Sequence, residues 1–314
     1  MENVNVNTNE KKQVVRRPGR PRAIVQNPKD LILGVRNKAN NEKNHMELIY
    51  NDPKLFKKII SIFKGYFVDD IFLTFNEDSI HIVSTDNTKK TIIKIVINCN
   101  KLNEYYCKKP FEISIKREYL EKIFNTIEKQ HSKVVFYSDS ENYLSTLYIN
   151  LLNEESGIND NYIIDLTVKP NLDKSFNLAI GNIVKDNYIL QFKLQSKIFK
   201  KFVNDSINSS KLLKIEKYGN DSLKFKMSIN NKVAFTRVFK TDDKFDIKSK
   251  IKPNEYFSVN IEFDSIKPFS NMNVSNYVNI YLDNDKKAIF EATVNNNLCV
   301  ISIYNDVLTL VNND

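Results

Sequence analysis

The residues of this chain best placed to do chemistry are lysines at helical spacing, and the chemistry is charge neutralisation. Leu55-Phe56-Lys57-Lys58-Ile59-Ile60 returns 143 positions later as Ile198-Phe199-Lys200-Lys201-Phe202-Val203. At about 100° per residue, Lys54, Lys57, Lys58 and Lys64 fall on one helix face. Leu55, Phe56, Ile59, Ile60, Ile62 and Phe63 fall on the other. In the second copy Lys197, Lys200, Lys201 and Asn204 point out, and Ile198, Phe199, Phe202, Val203 and Ile207 point in. A further helix over 116–128 turns Tyr119, Leu120, Ile123, Phe124 and Ile127 inward and presents Lys122, Asn125 and, just beyond it, Lys129. An ammonium on a flexible stem is a point charge suited to phosphate. The alternative is that these lysines form an ordinary solvated face.

Nothing in the pattern favours catalysis. The three histidines, His45 in the tail, His81 on a strand and His131, lack a neighbouring Cys or His at metal-ligand spacing. The six glycines stand singly, so no phosphate-cradling loop is expected. Asp283-Asn284-Asp285 lacks the glycine and closing glutamate of a calcium loop and reads as a turn. The acid pairs Asp69-Asp70 and Asp242-Asp243 sit in loops without a base or nucleophile beside them. Cys99, Cys107 and Cys299 have no CxxC spacing and read as reduced core thiols of an intracellular protein. No catalytic residue, metal or cofactor is expected, which disfavours a nuclease or glycosylase.

The charge is distributed unevenly. The net is +9, of which residues 1–45 carry +6. In the body, the helical windows 53–65, 116–130, 196–211 and 262–272 carry +4, +1, +3 and −1, which leaves −4 for everything else. Basic helices against a mildly acidic remainder imply a polyanionic partner. The start MENVNVNTNE is polar, so no signal peptide is expected. No run approaches the roughly 20 apolar residues of a membrane helix, and TIIKIVIN is broken by Lys94.

These lysines must be positioned by a duplicated unit. The 314 residues suit two domains. Residues 1–45 are polar and Pro-containing and are expected to be disordered. Within them, Arg17 and Arg22 flank Gly19-Arg20-Pro21 in an AT-hook-like segment narrow enough for an A·T-rich minor groove. A localisation signal or a plain phosphate contact is the alternative. Domain one, 46–168, reads as strands at 46–50, 71–75, 79–84, 91–97, 111–115, 133–138, 143–152 and 161–168, with helices from Pro53 to near Gly65 and over 116–128. The connector 169–187 is rich in apolar residues, which either pack on the body or offer a surface to a partner. Domain two, 188–304, repeats the order, with strands at 188–194, 211–217, 222–229, 232–239, 256–262, 276–282, 286–294 and 298–304. Its helices are 196–208 and a brief one near 263–271, carrying Lys267 and interrupted by Pro268; a tail, 305–314, follows.

With these pieces placed, the chain resembles the DNA sliding clamps, the proliferating cell nuclear antigen (PCNA) family, and within it the PCNA-like proteins of large cytoplasmic DNA viruses of the asfarvirus type. The stretch SIHIVSTDNTKKTIIKI over 79–95 is similar to the clamp strand–turn–strand below the partner pocket. NEYYCKKP over 103–110, followed by Ile113-Ser114-Ile115, looks like the approach to the clamp's second helix. The viral likeness extends to RPGRP over 17–21 and to YNDPKLFK over 50–57.

The resemblance implies an α+β fold of two similar clamp domains, with helices on the inner face of curved antiparallel sheets, assembling into a ring of three identical subunits. Lys57, Lys58, Lys64, Lys122, Lys129, Lys197, Lys200, Lys201 and Lys267 would then face double-stranded DNA. Subunits would join through strand 161–168 (Tyr162, Ile164, Leu166) and strand 233–239 (Val233, Phe235, Arg237). A DNA polymerase and other replication or repair enzymes would dock near Thr85, Ile92, Leu178, Ile180, Ile303 and Tyr304, with a clamp loader as a further partner. The connector lacks the acidic run of cellular clamps, and Ile303-Tyr304-Asn305-Asp306 stands where they carry Ala-Pro. The function implied is a non-enzymatic processivity factor, acting with viral DNA replication in the host cytoplasm, or in the nucleus if the viral likeness does not hold. The alternative is a non-ring accessory factor that holds DNA on one basic face plus the tail.

Overall fold

The computed structural model describes residues 43–305 except 65–69, 87, 89, 167–182, 207–210, 219–221, 230–231, 241–245, 253, 272–274, 285–286 and 295–296. The first half runs β1 (Asn44–Tyr50), α1 (Pro53–Ile60), β2 (Asp70–Phe75), β3 (Ser79–Thr85), β4 (Thr91–Asn98), β5 (Glu104–Cys107), β6 (Phe111–Lys116), α2 (Arg117–Asn125), β7 (Lys133–Asp139), β8 (Thr146–Asn153) and β9 (Ile158–Asp165). The second half runs β10 (Leu190–Gln195), α3 (Ser196–Ser206), β11 (Leu212–Tyr218), β12 (Ser222–Ile229), β13 (Lys232–Lys240), β14 (Ile247–Ser249), β15 (Tyr256–Glu262), α4 (Phe263–Ile266), β16 (Tyr277–Leu282), β17 (Ala288–Val294) and β18 (Cys299–Asn305).

The two halves repeat one topology. The order β5-β1-β7-β8-β9 in the first half is that of β14-β10-β16-β17-β18 in the second, and β6-β2-β3-β4 is that of β15-β11-β12-β13. One pairing breaks the equivalence. β18 pairs antiparallel with β4, from Cys299 opposite Ile97 to Asn305 opposite Thr91, and so fuses the halves into a nine-stranded sheet. Their counterparts β9 and β13 are edges: among the described residues β9 pairs only with β8, and β13 only with β12.

Period-two burial in the strands and an apolar stripe on each helix generate the core. In β16, Val278, Ile280 and Leu282 are buried while Tyr277, Asn279 and Tyr281 are not. Aromatic side chains pin helices to sheet in both halves: Phe56 meets Phe124 and Phe136 at 6.2 and 5.5 Å, and Phe199 meets Phe269 and Phe290 at 5.4 and 5.8 Å. Such pairs contribute about 0.5–1.5 kcal/mol each beyond the area they bury. Where the halves meet, Ser265 on α4 donates to Asn305 Oδ1 at 2.6 Å and lies 3.2 Å from the Thr91 hydroxyl, which ties that helix to the β4–β18 seam.

Several expectations are corrected. β5 and β14 were not read as strands; the first is four residues without clean alternation, the second only three. Helix α1 ends at Ile60 and tightens into a 3₁₀ turn, Ser61–Phe63, and α2 stops at Asn125; the last two residues expected in α3, 207 and 208, lie outside the described residues. Tyr119 and Ile198, expected inside, are 43% and 38% exposed. The buried stripe of α3 is Phe199, Phe202, Val203 and Ser206, which leaves Ile198 at its margin. His45 belongs to β1 rather than to the tail, buried and stacked on Tyr143 with ring centroids 3.8 Å apart. Among the described residues no helix is long and apolar enough to cross a membrane.

Candidate nucleic-acid interface

The helices share one side of the sheets. α1 packs on α2, α3 packs on the 3₁₀ turn Lys267–Asn271 that follows α4, and that turn meets the turn Ser61–Phe63 of the other half. The helical layer is therefore continuous across the seam, and every lysine named for the interface within the described residues lies on it or next to it.

Each helix is set locally. Pro53 opens α1, where its missing N–H is harmless, and Asp52 Oδ1 accepts from Leu55 N at 3.2 Å. Lys54 and Lys58 are exposed. Lys57 is half-buried, and its ammonium donates to the Asn125 and Ile127 main-chain oxygens at 3.2 and 2.9 Å. Lys64 Nζ donates to Asn125 Oδ1 at 3.1 Å. The last carbonyls of a helix have no partner within it, so Lys57 caps α2, and with Lys64 beside it brings positive charge to the negative end of that helix. On α2, exposed Lys122 reaches Glu118 at 3.6 Å and lies 5.9 Å from the centroid of the Tyr119 ring. Lys129 is exposed just past α2, Lys197 and Lys201 are exposed on α3, and Lys200 and Lys267 are half-buried. The arrangement offers fixed positive charge to a backbone of phosphates and no donor–acceptor pattern that would read base edges. Arg17, Arg20 and Arg22 lie outside the described residues.

On the opposite side of the nine-stranded sheet, Val83, Ile92, Tyr188, Ile289 and Tyr304 form a separate apolar cluster, with Ile183 and Tyr281 packed against it. Two of the expected docking residues, Ile92 and Tyr304, sit in this cluster, and half-buried Thr85 pairs with Ile92 in the β3–β4 ladder. Ile303 does not join them: it is fully buried in the main core, because neighbouring residues of β18 point to opposite faces. Leu178 and Ile180 lie outside the described residues. Ile183 belongs to the connector whose apolar residues were expected to pack on the body or meet a partner, and it packs on this cluster. Val83, Tyr188, Ile289 and Tyr281 went unread from sequence, although the alternation of β18, extended to its neighbours β17 and β4, carries the signal for the strand residues. Lys185 pairs with Glu291 beside this cluster, and burial, with the nearby Asp283 and Tyr304, pushes the Tyr188 hydroxyl up to about 12.

Of the expected subunit-contact residues, Tyr162 and Ile164 on β9, and Phe235 and Arg237 on β13, are spaced by two and share a face of their strand. Ile164 is buried, and Leu166 is half-buried with its N–H donating to Ser145 O at 2.7 Å. The Tyr162 hydroxyl lies 2.8 Å from Thr126 Oγ1. Ile163, which sequence reading passed over, is 64% exposed. On β13, Phe235 is exposed, and the Arg237 guanidinium sits 5.5 Å from the centroid of its ring. Val233 lies in the β13 backbone opposite Ser228.

The three histidines lie apart from one another. Burial lowers His45, with Lys108 and Lys109 adding to the effect against a hydrogen bond to Lys109 O; burial and Lys94 lower His81. His131 is buried, accepts from Glu128 N at 2.9 Å through Nδ1 and lies 3.1 Å from Asp160 Oδ2 through Nε2. The three thiols are buried and free, and burial pushes Cys99 and Cys299 up to about 12. Among the described residues no group of three His, Cys, Asp or Glu side chains is placed to hold a metal ion.

Known proteins resemble this chain in sequence and in fold. Residues 45–170 match the family model of the proliferating cell nuclear antigen N-terminal domain. An uncharacterised protein of African swine fever virus, from a Malawi tick isolate, is 26% identical over 284 residues, covering 88% of this chain and 93% of the relative. Its counterpart in a Kenyan pig isolate is 25% identical over the same span. Among solved structures, the PCNA of Entamoeba histolytica superposes with a TM-score of 0.69 at 14% identity, covering 84% of this chain and 98% of that one. Taken with the doubled topology and the lysine-bearing helical layer, these matches give the chain a PCNA-like clamp fold, with a sequence similar over most of its length to the African swine fever virus proteins.

Proposed function

We propose that this protein is a DNA sliding clamp: a non-enzymatic ring of three identical subunits that encircles duplex DNA and tethers a DNA polymerase and other replication or repair enzymes. The observation that carries the reading is the pair of edges β9 and β13, counterparts of the strands that already pair as the β18–β4 seam within the chain. A head-to-tail contact that repeats an internal seam generates a closed ring when its rotation closes. The helical layer with its lysines then lines the hole, and phosphate contacts without base readout suit a ring that slides.

The cluster around Tyr188 and Tyr304 on the outer face is the surface for short partner motifs. The Arg-rich tail helps capture DNA, a loader places the ring on closed DNA, and the protein works with viral DNA replication in the host cytoplasm. End-blocking tests the topology. The full chain is added to a linear duplex with free ends, and to the same duplex with both ends already capped by streptavidin. Threading through free ends, lost when the ends are capped first, is the expected result. Equal binding to both duplexes overturns encirclement and leaves a one-face DNA binder.

A further inference from the structure

The free edges β9 and β13 can be placed against each other residue by residue, because the chain contains its own template for the joint. The hairpin β8–β9 closes with Asn153 opposite Ile158, and β17–β18 closes with Val294 opposite Cys299, each across a four-residue loop. This sets Ile158 on Cys299, Asp160 on Ile301 and Tyr162 on Ile303. Likewise β3–β4 begins with Ser79 opposite Asn98, and β12–β13 begins with Ser222 opposite Lys240. This sets Arg237 on Ile95 and Phe235 on Ile93. In the internal seam Ile301 faces Ile95 and Ile303 faces Ile93.

We propose that two copies of this chain join β9 to β13 in the register of the internal seam, with Asp160 of one copy opposite Arg237 of the next and Tyr162 opposite Phe235, so that a charge pair selects the joint. The proposal rests on the ring reading above and deepens it by naming the contacts. The other edges do not compete in the same way: β5 and β14 correspond to each other and are both outermost, as are β6 and β15, whereas β9 and β13 are edges whose counterparts are paired.

The charges are well prepared. The internal seam has Ile301 and Ile95, both fully buried, at the position where the edges carry opposite charges. His131 accepts from a main-chain N–H through Nδ1, so its proton resides on Nε2, which donates to Asp160 Oδ2 at 3.1 Å. That bond fixes a carboxylate that is still 43% exposed and open to a second partner. The Arg237 guanidinium is held over the Phe235 ring on the free edge. A cross-strand pair of opposite charge favours one register, and like charges placed opposite each other oppose it. An apolar seam within the chain and a charged seam between chains also make the intermolecular joint the salt-sensitive one.

The test uses the full chain and reads native mass across a dilution series. Asp160→Arg alone and Arg237→Asp alone are each expected to weaken assembly by about 10-fold or more, and the double exchange is expected to restore most of it. Wild-type assembly without rescue in the double variant overturns the pairing and leaves the ring intact. A wild-type chain that is monomeric at every concentration overturns both. Because Asp160→Arg also removes the His131 bond, a second measurement leaves both charges in place. Asn161→Cys with Thr236→Cys is expected to cross-link neighbouring copies under mild oxidation, whereas Asn161→Cys with Val238→Cys is not. The reverse result shows a slipped register and overturns the proposal.

Discussion

The Lys57 ammonium donates to the Ile127 main-chain oxygen at 2.9 Å, joining two helices 70 residues apart in the chain. A second bond, to Asn125 O at 3.2 Å, makes this side chain the C-terminal cap of α2. One lysine thus serves both the packing of the helical layer and its positive potential, while Lys58 beside it is exposed.

Lys57→Ala is accordingly expected to destabilise the protein by about 1 kcal/mol, since two carbonyls lose a charged donor and fall back on water. For a body of this size that is about 2–4 °C in melting temperature. Lys58→Ala is expected to leave the melting temperature within error. Thermal denaturation of both variants checks the contrast, and equal losses would show that the cap contributes nothing.

Exposed Lys58, Lys197 and Lys201 are expected to act on DNA alone. Each alanine variant should reduce the slope of log affinity against log salt by about 0.9, uniformly across sequences. Reversing Lys57, Lys58, Lys200 and Lys201 to glutamate together should abolish retention on DNA while circular dichroism stays native. Unchanged retention in that quadruple variant would remove these helices from the DNA side.

Two histidines predict an acid limb. Burial holds His45 and His81 below the ordinary value of 6.5, so below that pH the unfolded chain binds protons that the folded chain refuses. Their contribution is complete above about pH 6.5 and is lost as the pH falls from there through the lower folded-state values. Urea denaturation at pH 7.5 and 5.5 should show His45→Gln less stable than the parent at the higher pH, through loss of the Tyr143 stack, but with a shallower fall between the two. Parallel falls in parent and variant would remove His45 from the acid limb.

The tail makes a separate prediction. Arg20→Ala should weaken binding to A·T-rich duplex more than to G·C-rich duplex, because a narrow, negative minor groove favours inserted Arg. Equal losses on both would reduce the segment to a phosphate contact.

Much of this molecule was legible from residue order. Alternation located nearly every strand, because a half-buried strand writes its two faces into successive residues. The repeat of Leu55–Ile60 at Ile198–Val203 announced two like halves, and the lysine faces of α1 and α3 followed from helical period alone. Local signals of this kind survive because they involve neighbours along the chain. Tertiary structure decided the rest, because the deciding contacts join residues far apart in sequence. The pairing of β18 with β4 made one seam internal and left β9 and β13 as edges. Folding also set which face of β18 meets the core, with Ile303 in and Tyr304 out, and the packing of α1 on α2 gave Lys57 its carbonyl partners. Backbone hydrogen bonds are the same for every residue, so a strand's sequence records which face it buries but not which neighbour it will pair with.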